Sequence, residues 1–294
     1  MRVSARKNGW ATAGRLAFAV VRFVLLFGLC FIILQPFASK ILAAFMSQND
    51  LLDVTVKNIP REWSLYHWQV ALQGMHLPEA ALKTLLLSLL AGSIQTMTSA
   101  MVGYGLARFR FRGRKLALVA VIVVMLVPMQ LYSISEFTYF HFFTPLRLNL
   151  LNTPWMTVLL SLGTLGLKQG LYIYFYRAFF LGLPQDLENA AYIDGASVPR
   201  TFLSVILPNA RVTMSTVFLL AFCWQWTDIS FSKNFLDVYR PLTLTIPTIN
   251  ADTLVSTAVA RNAAAILIIL PLMVLFVFCQ KNLVRSLTQS GLAN

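Results

Sequence analysis

Charge is scarce in this chain. Only 12% of its 294 residues are charged, about half the share of a soluble domain. Acids are the rarer sign, with 11 Asp and Glu against 24 Lys and Arg. Lipid is therefore the main solvent of this sequence. Cysteine is also sparse. Cys30, Cys223 and Cys279 each lie within an apolar stretch, too far apart for a Cys-x-x-Cys site, and offer no disulfide framework. His67, His76 and His141 are scattered without metal-ligand spacing and read as ordinary polar residues outside the membrane. Thus no metal site is expected. There is no catalytic set of paired carboxylates, clustered histidines or nucleophile with base, so an integral-membrane enzyme finds no support. A Gly-x-x-x-x-Gly-Lys-[Ser/Thr] phosphate loop is missing too, so no nucleotide-binding loop of that kind is expected. No internal repeat or low-complexity tract appears.

What is present is apolar length. Hydrophobic residues make up 57% of the chain. A membrane span needs about 20 mostly apolar residues, and six stretches qualify: 16–34, 82–106, 116–135, 155–180, 212–229 and 263–283. The expected fold is all-α integral membrane, one transmembrane domain over 1–294. The first stretch is too long for a cleaved signal peptide and reads as a retained anchor, with Arg22 close enough to its start to snorkel. Pro128 should kink the third. The longest outside loop, 36–80, holds Pro60, Trp63, Tyr66 and Trp68, whose rings suit either an interfacial belt or a small packed cap.

Orientation follows from the basic residues of the connections. With the N-terminus inside, the inner side holds Arg2, Arg6, Lys7, Arg15, Arg108, Arg110, Arg112, Arg114, Lys115, Arg177, Arg200, Arg211, Lys281 and Arg285. The outer side holds Lys40, Lys57, Arg61, Arg147, Lys233, Arg240 and Arg261, half as many, while Arg22, Lys83 and Lys168 fall within spans. Both termini are expected inside. The Arg108–Lys115 run reads as a positive-inside anchor, not a lipid-specific or nucleic-acid site.

That topology puts the polar stretch 184–208 on the inner side. Asp186 is a plausible N-cap for a helix through Ile193. Gly195 ends it, Ser197 caps a second helix with Pro199 in its first turn, and Leu207-Pro208 stops that one. From the residues alone, this segment is either a docking surface or an amphipathic loop lying on the membrane.

Within the membrane, polar residues are costly and tend to face a cavity or a partner. Lys168 is the clearest case, followed by Gln169, Tyr172 and Tyr174. Trp224, Gln225, Trp226 and Asp228 form an aromatic and polar cluster at the end of the fifth stretch. Gln130 and Tyr132 follow Pro128. Such residues suit a sugar pathway, since aromatic faces and amides match apolar C–H faces and hydroxyls. Lys168 could instead pair with a membrane partner, and Trp224 and Trp226 could be interfacial anchors. If Lys168 faces the pathway, an acidic sugar is conceivable.

The 184–208 segment resembles the cytoplasmic loop of permease subunits of bacterial type I ABC importers. Asn189-Ala190-Ala191, Gly195 and Val205-Ile206-Leu207-Pro208 follow that family's Glu-Ala-Ala, Gly, Ile-x-Leu-Pro pattern with its spacing intact, and Asp194 and Ala196 fit its Asp-Gly-Ala form. Asn189 stands where the pattern has Glu, with Glu188 beside it, and Val205 replaces Ile. Tyr104-Gly-Leu-Ala-Arg-Phe109 and the Gln280–Gly291 tail resemble the carbohydrate subclass, Ser286 standing where Gly is usual. The resemblance implies a permease passing a sugar or oligosaccharide in the bacterial inner membrane. It implies coupling through Glu188, Asn189, Ala190, Ala191, Asp194, Gly195, Ala196, Phe202, Leu207 and Pro208, with Ala190, Ala191 and Phe202 supplying most docking contact. The implied partners are two cytosolic ATPase subunits holding ATP and Mg, a second and different permease chain, and an external substrate-binding protein. This chain itself holds no cofactor. An importer of a non-sugar solute and a self-contained channel are the alternatives.

Overall fold

The computed structural model describes the backbone of residues 2–142 and 148–291 and the side chains of 15–142 and 148–280. Arg147 of the outer-side charge count therefore lies outside the described residues, as do the side chains of Arg2, Arg6, Lys7, Lys281, Arg285 and Ser286. Regular secondary structure among the described residues is helical, apart from one isolated bridge between Met46 and Trp63.

Two compact units share the chain. The first comprises the residues up to Leu72 with Ile249–Ile266. Its α1 (Arg2–Ala43) is apolar, and none of its described side chains is buried. After α1 the chain folds on itself. Ser47 caps α2 (Gln48–Leu52) by accepting the Asp50 N–H at 3.1 Å. The Asp50 carboxylate accepts the Arg61 and Glu62 N–H groups at 2.9 and 3.0 Å. Phe45 stacks obliquely on Trp63 and Trp68, with centroids 5.7 and 5.3 Å away. Gln48 and Tyr66, the latter opening α3 (Tyr66–Gly74), both donate to Asp252. Phe45, Trp63 and Trp68 thus form a small aromatic cluster after α1, with Trp63 still exposed. His67 is fully buried.

The second unit comprises Gln73–Thr248 with the chain from Leu267. Its centre is α4 (Leu77–Arg108), which begins with Pro at a position whose N–H needs no partner. Small residues at four-residue spacing, Ser88, Gly92, Thr96 and Ala100, lie buried along it. A second such row is Ala91, Gln95, Ser99 and Gly103. In lipid, small residues let helix backbones approach. A Cβ at Gly103 would stand 2.6 Å from Tyr176 Cβ and 3.1 Å from the Ile173 oxygen. Helices α7 (Pro154–Leu162), α8 (Gln169–Gly182) and α12 (Arg211–Thr227) pack around α4.

Among the described residues, three helices are long and apolar enough to cross a membrane: Arg15–Ala43, Leu77–Arg108 and Leu254–Gln280. The pair Val198–Asn209 and Arg211–Thr227, bent by 81°, makes a fourth if taken together. The expected third and fourth spans are each interrupted. In the third, α5 (Arg114–Leu126) stops before Pro128, where Val127 turns extended, and α6 (Ser133–His141) follows a 3-10 turn at Met129–Leu131. Pro128 thus breaks the helix where a kink was expected, because proline disfavours helical backbone at the residue before it. In the fourth, α7 ends at Gly163, and Thr164 and Lys168 take left-handed φ values of 62° and 58° before α8 starts. Gln169 satisfies this break: its Oε1 accepts the Gly166 N–H at 2.8 Å, and its Nε2 donates to Thr98 Oγ1 and the Ser161 oxygen, both at 2.8 Å.

Beyond α8 come three short helices, α9 (Asp186–Ile193), α10 (Val198–Thr201) and α11 (Leu207–Asn209), with a π-helical turn at Phe202–Ile206. α13 (Ser230–Phe235) and α14 (Leu254–Gly291) complete the chain.

Candidate functional site

Non-helical backbone at membrane depth is tolerated where it lines a cavity or is buried in protein. The two breaks do line one. A cavity of about 420 Å³ is bounded by Val127–Gln130 on one side and Leu165–Lys168 on the other. Gln95 of α4, Thr157 of α7 and Gln225 of α12 face it, as do Glu136 and Asp228.

The polar atoms here are unevenly satisfied. Gln95 and Gln225 are 1% and 3% exposed. Gln95 Nε2 donates to Ser161 Oγ at 3.1 Å. Its Oε1 has no partner among the described residues, nor do both amide atoms of Gln225, Thr157 Oγ1 or Glu136 Oε2. A buried group left unpaired costs about 1–3 kcal/mol, so these side chains lower stability unless water or a polar solute meets them. The Asp228 carboxylate, by contrast, is committed. It accepts the Ser232 N–H at 2.7 Å and the Phe231 N–H at 3.3 Å, capping α13. Lys168 Nζ sits 5.2 Å from the Trp224 ring centroid, a cation–π contact on the cavity lining.

Six pathway candidates from the sequence therefore come together here: Lys168, Gln169, Gln130, Trp224, Gln225 and Asp228. Two do not. Tyr172 is fully buried in the core beside Tyr176. Trp226 is turned away to donate its indole N–H to the Ile268 oxygen at 3.0 Å. Helical spacing explains Trp226, which lies one and two positions from Gln225 and Trp224 and so does not share their face. Tyr174, also singled out, is exposed off the lining, and Tyr132 lies on it. Sequence reasoning missed Gln95, Thr157 and Glu136. The available signal for Gln95 was an uncharged amide midway along an apolar stretch, weaker than the charge that drew attention to Lys168.

The 184–208 segment is a second constellation. Its first turn follows the expected chemistry. Gly195 has φ 78°, its N–H bonds the Tyr192 oxygen at 3.0 Å, and the Ala196 N–H bonds the Ala191 oxygen at 2.9 Å. This is a Schellman cap. Asp186 is the first helical residue, one position inside the N-cap Gln185, and acts on the helix dipole. Ser197 is the N-cap of α10 with Pro199 following, as expected.

The segment is tied to the rest of its unit. Arg108, the last residue of α4, donates Nε to Glu188 Oε1 at 2.8 Å and Nη2 to the Leu183 oxygen at 2.7 Å. The two side chains of this ion pair are only 6% and 10% exposed. Phe202 lies against Tyr104, with centroids 5.0 Å apart, and near Phe180 at 6.5 Å. Arg114 closes the end of α4 by donating to the Leu106 and Ala107 oxygens. Two members of the basic run thus have defined intramolecular partners. Glu188, Ala191 and Phe202 are buried within the chain. Asn189, Ala190, Asp194 and Gly195 are exposed, and Ala196, Leu207 and Pro208 are half-buried. The exposed large apolar side chains include Leu187, Tyr192, Ile193, Val198 and Leu203, with Ile193 86% exposed.

Residues 81–289 match the family described as binding-protein-dependent transport system inner membrane component. The chain is 28% identical over 276 residues to the galactooligosaccharides transport system permease protein GanQ of Bacillus subtilis (strain 168), covering 92% of this chain and 93% of that one. It is 29% identical over 276 residues, with the same coverage, to the maltodextrin transport system permease protein MalD of Streptococcus pneumoniae (strain ATCC BAA-255 / R6). Among solved structures, a bacterial ABC transporter involved in the import of the acidic polysaccharide alginate superposes with a TM-score of 0.66 at 19% identity, covering 91% of this chain and 97% of that one. The fold is therefore that of an ABC importer permease, and the chain belongs to the binding-protein-dependent transport system inner membrane component family.

Proposed function

We propose that this chain is a membrane subunit of an ATP-driven carbohydrate importer, and that solute passes along the cavity between the two helix breaks. The observation that carries this reading is the set of unpaired, buried amide and hydroxyl groups on that cavity. Discontinuous helices of transporters frame solute sites in this way. Gln95, Gln225 and Thr157 offer donors and acceptors to hydroxyls, and the Trp224 face offers an apolar surface to a sugar ring. The class of solute rests on the sugar-transport permeases that the chain resembles.

In this reading the chain crosses the membrane six times with both termini in the cytosol, as the distribution of Lys and Arg favours. The 184–208 segment is then cytosolic and docks on an ATPase subunit. Two such subunits, a second permease chain and an external binding protein complete the assembly. ATP closes the ATPase pair, and the docked segment transmits that movement to the helices around the cavity. ATP is the ligand that biases a two-state element. This chain contributes no hydrolytic group.

Docking uses the exposed face. Leu187, Ala190, Ile193, Val198 and Leu203 supply apolar contact, and Asn189 supplies an amide in place of a carboxylate. Ala191, Phe202 and Glu188 serve the docking helices from behind. The test is to copurify the complex, screen carbohydrates against its binding protein, and measure ATPase stimulation by the bound form. Stimulation by a carbohydrate-loaded binding protein supports the reading. Copurification of no ATPase, or stimulation only by a non-carbohydrate solute, contradicts it.

A further inference from the structure

We infer that the buried Arg108–Glu188 ion pair is the transmission link of this subunit, making the 184–208 segment and α4 move as one body. This rests on the coupling reading above and adds to it a role for two residues that face away from any ATPase. Arg108 joins three elements through one guanidinium: it ends α4, bonds Glu188 of α9, and bonds the Leu183 oxygen that follows α8.

α4 is the right helix to grip. It runs unbroken from Leu77 to Arg108, with no proline beyond its first turn. The third and fourth apolar stretches are each broken beside the cavity. An unbroken helix carries a push along its axis, whereas a broken one absorbs it in loop dihedrals. Gln95 lies on α4 and on the cavity lining. At a rise of 1.5 Å per residue, it stands roughly 20 Å from Arg108 along the axis. A shift of the segment therefore reaches Gln95 directly.

The aromatic contact of Phe202 with Tyr104 joins the same parts. Apolar contact is non-directional, however, and allows sliding. The charge-assisted pair fixes direction as well as distance. Its burial adds to this, because removing either partner leaves an uncompensated charge. The pair also explains how the segment works with Asn189 in place of a carboxylate: the neighbouring acid, Glu188, holds the segment to α4 and the exposed face does the docking.

The experiment uses the full importer in lipid vesicles, in a background lacking Cys30, Cys223 and Cys279, with Ser230→Cys on the cavity lining as reporter. Labelling by a membrane-impermeant thiol reagent is compared with and without ATP and vanadate. In the parent, trapping should change the labelling rate. In Glu188→Gln, the ATPase should still copurify in parent amount, but the trapping-dependent change should fall roughly tenfold. The swap Arg108→Glu with Glu188→Arg should recover more than either single change does. Arg108→Lys keeps the charge without the two-way fork and should lose most of the change, which serves if Glu188→Gln expresses poorly. A parent-like response in Glu188→Gln, or a swap no better than the single changes, overturns the inference. A parent complex with no response to trapping overturns the coupling reading instead.

Discussion

Ile193→Asp separates the docking face from the residues that support it. Ile193 is 86% exposed at the end of α9, whereas Ala191 and Phe202 are 8% and 7% exposed. Burying an isoleucine against a partner is worth about 1.5–3 kcal/mol. An aspartate there loses that and adds the cost of an unpaired charge, together about 3 kcal/mol or more. Affinity for the ATPase should fall by roughly a hundredfold or more. Since the side chain touches little of its own chain, the melting temperature of the isolated subunit should stay near that of the parent. Phe202→Ala should behave in the opposite way. It empties a site between Tyr104 and Phe180 and should cost about 3–5 kcal/mol of folding stability. The assay is copurification of ATPase with tagged permease, alongside thermal unfolding in nanodiscs. If Ile193→Asp retains full ATPase, or if Phe202→Ala loses ATPase with unchanged stability, the assignment of faces is wrong.

Gly195→Ala should weaken the cap of α9 by about 1–2 kcal/mol, the cost of a left-handed backbone with a Cβ, read as faster hydrogen exchange in 186–196; unchanged exchange would refute it. Gly103→Leu should separate α4 from α8 and cost about 1–3 kcal/mol or more, read as a lower melting temperature; a parent-like value would contradict the close approach. Burial holds the His67 imidazole below its ordinary pKa, with the Met46 backbone opposing in part. The unfolded chain therefore binds more protons there, and the stability due to neutral His67 is full above about pH 6.5 and declines as pH falls below it. Hydrogen exchange in 44–72 should quicken between about pH 7 and pH 5, and His67→Leu should remove much of that dependence; an undiminished dependence would point elsewhere.

Much of the 184–208 segment was legible because its signals are local. Gly195, Ser197 and Pro199 impose backbone geometry on their own neighbours, and each is found at the expected kind of position. Leu207-Pro208 does not stop the second helix as expected: helical backbone runs on through the π-helical turn to Asn209, with Pro208 in a first turn where its missing N–H costs little. Which way its side chains face was not legible. Ala191 and Phe202 looked like contact residues by size and apolarity. Phe202 is covered by Tyr104 of α4 and Phe180 of α8, helices that meet it only once the chain has folded. Glu188 hid for the same reason, since its partner lies on α4. At the cavity, Lys168 and Gln225 announced themselves as polar residues in apolar stretches. The break at 163–168 did not, because Gly163 and Gly166 are unremarkable in a membrane helix and the bond from Gln169 to Thr98 of α4 that helps secure the break forms only in the folded chain.

The most direct test of the central claim is carbohydrate uptake by the reconstituted importer carrying Gln225→Leu, set beside Tyr172→Phe. Gln225 faces the cavity with both amide atoms unpaired among the described residues, and Tyr172 is buried in the core off the cavity lining. Removing the unpaired amide should raise folding stability by about 1 kcal/mol. Uptake should nevertheless fall by roughly tenfold or more, the loss expected for one or two hydrogen bonds to solute. Tyr172→Phe should transport near the parent rate. Parent-like uptake in a well-folded Gln225→Leu importer would contradict the account.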